Sequence, residues 1–186
     1  VTHKVAGLPA AQVIGSGTIL DTSRFRWLLS QHFNLDARNV HAFIIGEHGD
    51  SEVAVWSLAN IAGMPLEVYC RAIGCQLPPD QREKIGNQVC NAAYEIISRK
   101  GATFYAVAAG LVRIVESILR NQHSVLSVSN LVPGYYGIED VYLSLPASIG
   151  ENGVESIFEL PLNEKEEAEL VKSANTLKDV LEQLEI

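Results

Sequence analysis

Methionine occurs once in this 186-residue chain, at Met64, and the first residue is Val1. The chain is therefore expected to be a piece of a longer protein. Cysteine is scarce as well: Cys70, Cys75 and Cys90 are odd in number and irregularly spaced, which excludes a disulfide framework. With no CxxC pair, no His cluster and no HExxH, no metal is expected. Basic residues number 14 against 22 acidic ones, a formal net charge of −8, which argues against a nucleic-acid partner. No apolar run approaches the roughly 18–20 residues of a membrane-spanning helix. No basic-then-apolar leader indicates export, so a cytoplasmic location with reduced thiols is expected. Finally, no GxGxxG follows a strand with an acid about 20 residues further on. Gly15-Ser16-Gly17 opens the wrong kind of segment and lacks the third glycine, so no Rossmann domain is expected in this chain.

What is present is 47% apolar sequence in periodic blocks, enough for a real core. Leu20 to about Phe33, with Phe25, Trp27, Leu28 and Leu29, suits a mostly buried helix. Val40 to Ile45 reads as one strand that stops at Gly46, and Val53, Val55 and Trp56 begin another. After Pro78-Pro79, Asp80 is placed to cap a helix with Glu83 three residues on, and its apolar positions run to Lys100. Thr103 is expected to cap the next helix, which carries the small residues Ala106, Ala109 and Gly110. Val125–Val132, Val141–Ile149 and Val154–Leu160 alternate with short turns, which favours an antiparallel meander. A last helix starts at Asn163, with Glu164, Glu166 and Glu167 on its positive dipole end and one stripe of Leu170, Ala174, Leu177, Leu181 and Leu184. Strands grouped together with helices around them describe an α+β domain: antiparallel sheets packed by long helices.

Of five histidines, His48 has the setting of a catalyst. It follows an apolar strand and sits between Gly46 and Gly49, rigid yet accessible, with Glu47 and Asp50 beside it. Imidazole exchanges protons near neutral pH, so general acid/base work is expected of it. Asp21 and Arg24 are three apart on a helix and share a face. A buried Asp needs a cationic partner, and a protonated His48 would serve. An Arg beside it offers the planar fork that grips a carboxylate. Asp21, Arg24 and His48 together describe a site where a small carboxylic acid undergoes proton transfer.

Val13-Ile14-Gly15-Ser16-Gly17-Thr18-Ile19-Leu20-Asp21-Thr22-Ser23-Arg24-Phe25-Arg26 resembles the start of the substrate domain of L-lactate dehydrogenases. Ile45-Gly46-Glu47-His48-Gly49-Asp50-Ser51 is similar to the active-site histidine signature of the lactate/malate dehydrogenase superfamily, and Lys100-Gly101-Ala102-Thr103 to its substrate-pocket segment. The likeness runs over the whole chain, so residues 1–186 are expected to form one substrate-binding, catalytic domain with the C-terminal-domain fold of that superfamily. The resemblance implies that His48 exchanges a proton with lactate or pyruvate during hydride transfer and that Asp21 holds it. Arg24 would bind the substrate carboxylate and Thr103 line the pocket at the small side chain. Ser16 would meet the nicotinamide carboxamide and Val107 pack on its ring. NAD is the implied cofactor, bound mainly by an N-terminal dinucleotide domain that this chain lacks. The chain alone is therefore expected to be inactive.

Arg26 and His41 match positions at which bacterial allosteric members grip fructose 1,6-bisphosphate across a subunit interface. The resemblance also implies a homo-oligomer, a tetramer. Two other readings stand beside this one. A malate dehydrogenase of the same superfamily is disfavoured by Thr103, where a smaller residue is expected. A non-catalytic sugar-phosphate-binding or assembly module would have no need of Asp21, Arg24 and His48 together.

Overall fold

The computed structural model describes residues 1–184. It is an α+β domain of seven helices and eight strands among those residues. A short helix α1 (Thr2–Ala6) leads to the central helix α2 (Ile19–Phe33). Five two-residue strands follow: β1 (Val40–His41), β2 (Ile44–Ile45), β3 (Val53–Ala54), β4 (Asn60–Ile61) and β5 (Met64–Pro65). Four helices come next: α3 (Leu66–Ile73), α4 (Pro79–Cys90), α5 (Ala92–Lys100) and α6 (Tyr105–Leu119). The meander β6 (Ser124–Leu131), β7 (Tyr142–Gly150) and β8 (Gly153–Ile157) and the long helix α7 (Glu164–Glu182) complete the chain.

β1, β4 and β5 form one small antiparallel sheet, β2 and β3 a second, and β6–β7–β8 the third. In the meander Val128 pairs with Leu145 and Asn130 with Leu143. One core cluster gathers Phe25, Leu29, Val40, Ile61 and Ile85 around α2. A second packs Ile45, Val55, Leu143, Leu145 and Leu170 beneath α7, and a third sets Ile19 and Ile114 on Val128, Ala147 and Ile149. α2 thus contributes to two of the three clusters, which makes its placement decisive for the site. No helix among the described residues is long and apolar enough to cross a membrane.

Several local expectations are corrected. The strand expected over Val40–Ile45 is two strands in two sheets, because the Ala42 carbonyl accepts from Arg26 Nε at 3.0 Å and the Phe43 carbonyl from the Val55 N–H at 3.0 Å. The chain changes partner there. The helix after Pro79 breaks at Asn91, whose side-chain amide bonds the Asn87 carbonyl at 2.9 Å and competes with the helical ladder. Asp80 is no cap: Pro78 is the N-cap and Pro79, with its φ already set, begins the helix. Thr103 is not a cap either, since Phe104 holds that position without a side-chain bond. Trp27 lies 55% exposed on α2, and Leu184 lies exposed beyond the end of α7.

The start of α7 forms as expected and does more than cap. Asn163 Oδ1 accepts the Glu166 N–H at 3.0 Å, and Glu166 Oε2 accepts the Asn163 N–H at 3.3 Å. The same buried Glu166 takes the Ser57 N–H at 2.9 Å and the Ser57 hydroxyl at 2.5 Å, tying α7 to the segment after β3. Replacing Glu166 with Ala is expected to cost about 2–3 kcal/mol, the loss of a cap plus charge-assisted bonds to buried donors. Urea unfolding, read as a lower midpoint at unchanged slope, measures it.

Candidate active site

Hydroxyls seat the start of α2 against β2. Thr18 Oγ1 donates to the Ile44 carbonyl at 2.6 Å and lies 3.0 Å from Ser127 Oγ, which donates to the same carbonyl at 2.6 Å. Thr22 Oγ1 accepts the Ile44 N–H at 3.0 Å. Gly17 makes this approach possible: its φ is 51°, and a Cβ there would stand 2.5 Å from the Ser129 nitrogen. Both backbone groups of Ile44 are thereby fixed relative to one turn of helix.

Beyond β2 the chain turns at Gly46, whose φ is 93° and whose N–H and carbonyl pair with Ser144 of β7. Glu47 donates its N–H to Ser173 Oγ of α7 at 2.8 Å, and its carboxylate accepts the Ser51 hydroxyl. Tyr94 of α5 donates to Asp50 Oδ1 at 3.0 Å. Glu47 and Asp50, the acids that flank His48 in sequence, therefore bond to Ser51 and Tyr94. The partner of His48 comes from α2.

Asp21 is 2% exposed and lies in the first turn of α2, where the helix dipole favours negative charge. Its Oδ2 is 2.7 Å from His48 Nδ1, and its Oδ1 accepts from Arg24 Nη1 at 2.8 Å. Apart from this ion-pair contact with His48, the buried Oδ2 has no hydrogen-bond partner among the described residues. The His48 side chain is 52% exposed, so one ring nitrogen faces a buried carboxylate and the ring is open to the outside. The bond to Asp21 raises the His48 pKa above its ordinary value, against the opposing effect of burial. Arg24, 16% exposed, spends one nitrogen on Asp21 and leaves the rest of its fork unbonded among the described residues. The expected trio is thus one contiguous cluster.

A fourth group belongs to it that the sequence reading missed. Glu52 closes the turn after His48 through its N–H to the Gly49 carbonyl at 3.2 Å. Oxygen and nitrogen atoms of Asp21, His48 and Glu52 lie within 4.8 Å of one another, a set that could hold a cation. Burial, then the charge of Asp21, pushes the Glu52 carboxyl up to about 8, although His48 and Arg24 pull the other way. Only its position four residues after His48, on the far side of a tight turn, could have signalled it.

The remaining expected residues surround this cluster less closely. Ser16 stands between Gly15, which bridges to Ser129, and Gly17, with its hydroxyl unbonded among the described residues. Thr103 is partly buried in the loop entering α6. Val107 shares a helix face with Gly110, whose Cα approaches Ile19 of α2 so closely that a Cβ would stand 3.2 Å from it. Arg26 and His41 meet elsewhere, at the strand break: Arg26 bonds the carbonyl next to His41 and lies over the Phe43 ring, 5.5 Å from its centroid. His41 itself is exposed, and burial lowers the Arg26 pKa.

Residues 18–185 match the model of the lactate/malate dehydrogenase family, alpha/beta C-terminal domain. An L-lactate dehydrogenase of Acetivibrio thermocellus is 57% identical over 100% of this chain and 59% of its own. L-lactate dehydrogenase 1 of Clostridium acetobutylicum is 53% identical over 99% of this chain and 59% of its own. Among solved structures, a minor L-lactate dehydrogenase from Enterococcus mundtii in a ligand-bound form superposes with a TM-score of 0.93 at 42% identity, covering 98% of this chain and 58% of that one. The chain thus spans about 59% of the length of the curated relatives it matches.

Because the Asp21 bond is the largest influence on His48, replacing Asp21 with Asn is expected to move the imidazole titration to lower pH. Ring-proton NMR of His48 follows it directly.

Proposed function

Because this chain belongs to the lactate/malate dehydrogenase C-terminal domain family, we propose that it is the substrate-binding, catalytic domain of an NAD-dependent L-lactate dehydrogenase. The observation that carries the reading is one buried carboxylate, Asp21, held between His48 at 2.7 Å and Arg24 at 2.8 Å. The names of the relatives support lactate over malate.

The roles follow from the atoms left free. With Nδ1 on Asp21, His48 exchanges protons through Nε2 on its open side. In lactate oxidation neutral Nε2 takes the hydroxyl proton as the C2 hydrogen leaves with its electron pair. In pyruvate reduction protonated Nε2 returns it to the carbonyl oxygen. Arg24 grips the substrate carboxylate with the part of its fork that Asp21 does not use. Thr103 lines the pocket near the methyl group. NAD, when bound, supplies the hydride acceptor or donor. In this chain its nicotinamide end fits the free Ser16 hydroxyl and the Val107 face, whereas no glycine-rich phosphate cradle occurs in the sequence. The phosphates therefore belong to a dinucleotide domain elsewhere in the protein.

Arg26 and His41 suit an activating sugar bisphosphate, since Arg26 bonds the Ala42 carbonyl next to the exposed His41. A homo-oligomer, a tetramer in this reading, and the dinucleotide domain would cover the exposed apolar side chains of α6, among them Tyr105, Val112 and Leu119. The cytoplasm, with its NAD pool, fits the free thiols of all three cysteines.

In the full-length enzyme, His48→Asn is expected to lower kcat for pyruvate reduction roughly a hundredfold to ten-thousandfold. Arg24→Lys keeps the charge beside Asp21 but removes the fork, and is expected to cost roughly tenfold to a hundredfold in kcat/KM for pyruvate. NADH oxidation assays with pyruvate and with oxaloacetate test both, and a preference for oxaloacetate would overturn the lactate assignment. His41→Ala and Arg26→Ala are each expected to weaken fructose 1,6-bisphosphate binding several-fold, and unchanged affinity in either variant removes that residue from the role.

A further inference from the structure

Glu52 has the features of a group with work to do. It follows the catalytic turn, its carboxyl accepts no hydrogen bond from any described residue, and it stands within 4.8 Å of both Asp21 and His48. An acid kept only for solubility would point to water. An acid kept for structure would take donors, as Glu47 and Glu166 do. Glu52 does neither.

We infer that Glu52 is a positioning residue for proton exchange at His48, whose carboxyl extends the pH range over which the imidazole stays protonated. This rests on the proposed dehydrogenase reading of the same cluster. The groups facing Glu52 are Asp21 and Arg24 from α2, His48 and Asp50 from the turn, and Cys90 from α4, whose thiol its charge helps to raise. Two carboxyls this close to one another do not both ionise freely. Asp21 has Arg24 bonded to it, whereas Glu52, buried and with no donor, holds its proton up to about pH 8. As pH rises, Glu52 releases that proton in the range where His48 would release its own. The new negative charge then favours the imidazolium. The two titrations are coupled, and the second carboxyl acts as a reserve of negative charge that appears only when needed.

The consequence separates an electrostatic role from a structural one. Gln has the shape and neutrality of the protonated acid, so Glu52→Gln removes the charge without removing the side chain. In the full-length enzyme, the loss of kcat/KM for pyruvate in Glu52→Gln is expected to grow with pH. It should be slight near about pH 6 and about threefold to tenfold near about pH 9, a tenfold change corresponding to one pKa unit. The NMR titration of His48 moves to lower pH in the same variant, whereas Glu52→Asp, which keeps a titratable carboxyl, retains part of the alkaline reach. A Glu52→Gln profile that superposes on the wild type, or one lowered equally at every pH, overturns the inference. Wild-type enzyme without pyruvate turnover overturns the functional reading instead. The His48 titration would still report whether the two groups are coupled.

Discussion

A buried carboxylate between two cations governs this structure. Asp21 is 2% exposed, and an ionised carboxylate at such a depth is costly unless every charge and lone pair around it is answered. Arg24 answers one oxygen and His48 the other. The N-terminal turn of α2 adds its dipole. Neither cation could reach Asp21 unless α2 and the turn after β2 were locked together. The Thr18, Thr22 and Ser127 hydroxyls on Ile44 do that, and Gly17 permits the close approach. The polar seat and the geometry of the cluster are therefore one construction.

The same arrangement links folding to pH. The folded-state pKa of His48 lies above its unfolded value, so the stabilisation from its bond to Asp21 is full at pH below the unfolded pKa. It is lost as pH rises through the folded one. Glu52 acts with the same sign for a different reason. Its carboxyl moves from an ordinary 4.5 to about 8 because ionising it is penalised by burial, so stability declines between those values as the unfolded chain alone gives up the proton. Both groups make the alkaline side the vulnerable one, and both reside in the site. On the proposed reading, activity and stability therefore respond to the same protons.

Much of this was legible in the residues because it is local. The 3.6-residue apolar pattern marked α2, the turn glycines marked the meander, and the Asn163 and Glu166 pair marked the start of α7. The i, i+3 spacing of Asp21 and Arg24 marked them as neighbours on one face of α2, where they form an ion pair. What escaped was decided by contacts across the chain. The strand over Val40–Ile45 divides because Arg26, sixteen residues away, takes the Ala42 carbonyl. Asp80 yields to Pro78 and Pro79 because a proline with preset φ needs no cap. Glu52 was not singled out in the sequence at all. Only the fold places it beside Asp21, and only that neighbour makes its proton hard to remove.

The chain carries a net charge of −8, yet on the proposed reading its site receives an anion. Long-range attraction cannot be the explanation, since the field of the whole chain is repulsive and is screened over about 8–10 Å at physiological salt. The local charges must decide. Asp21 is cancelled by Arg24, which leaves protonated His48 as the uncompensated charge beside the open fork. Burial of Glu52, by holding its proton near neutral pH, keeps the site cationic inside an acidic protein. Where Glu52 does ionise at higher pH, its charge holds the imidazolium in place, so the proton on His48 is kept.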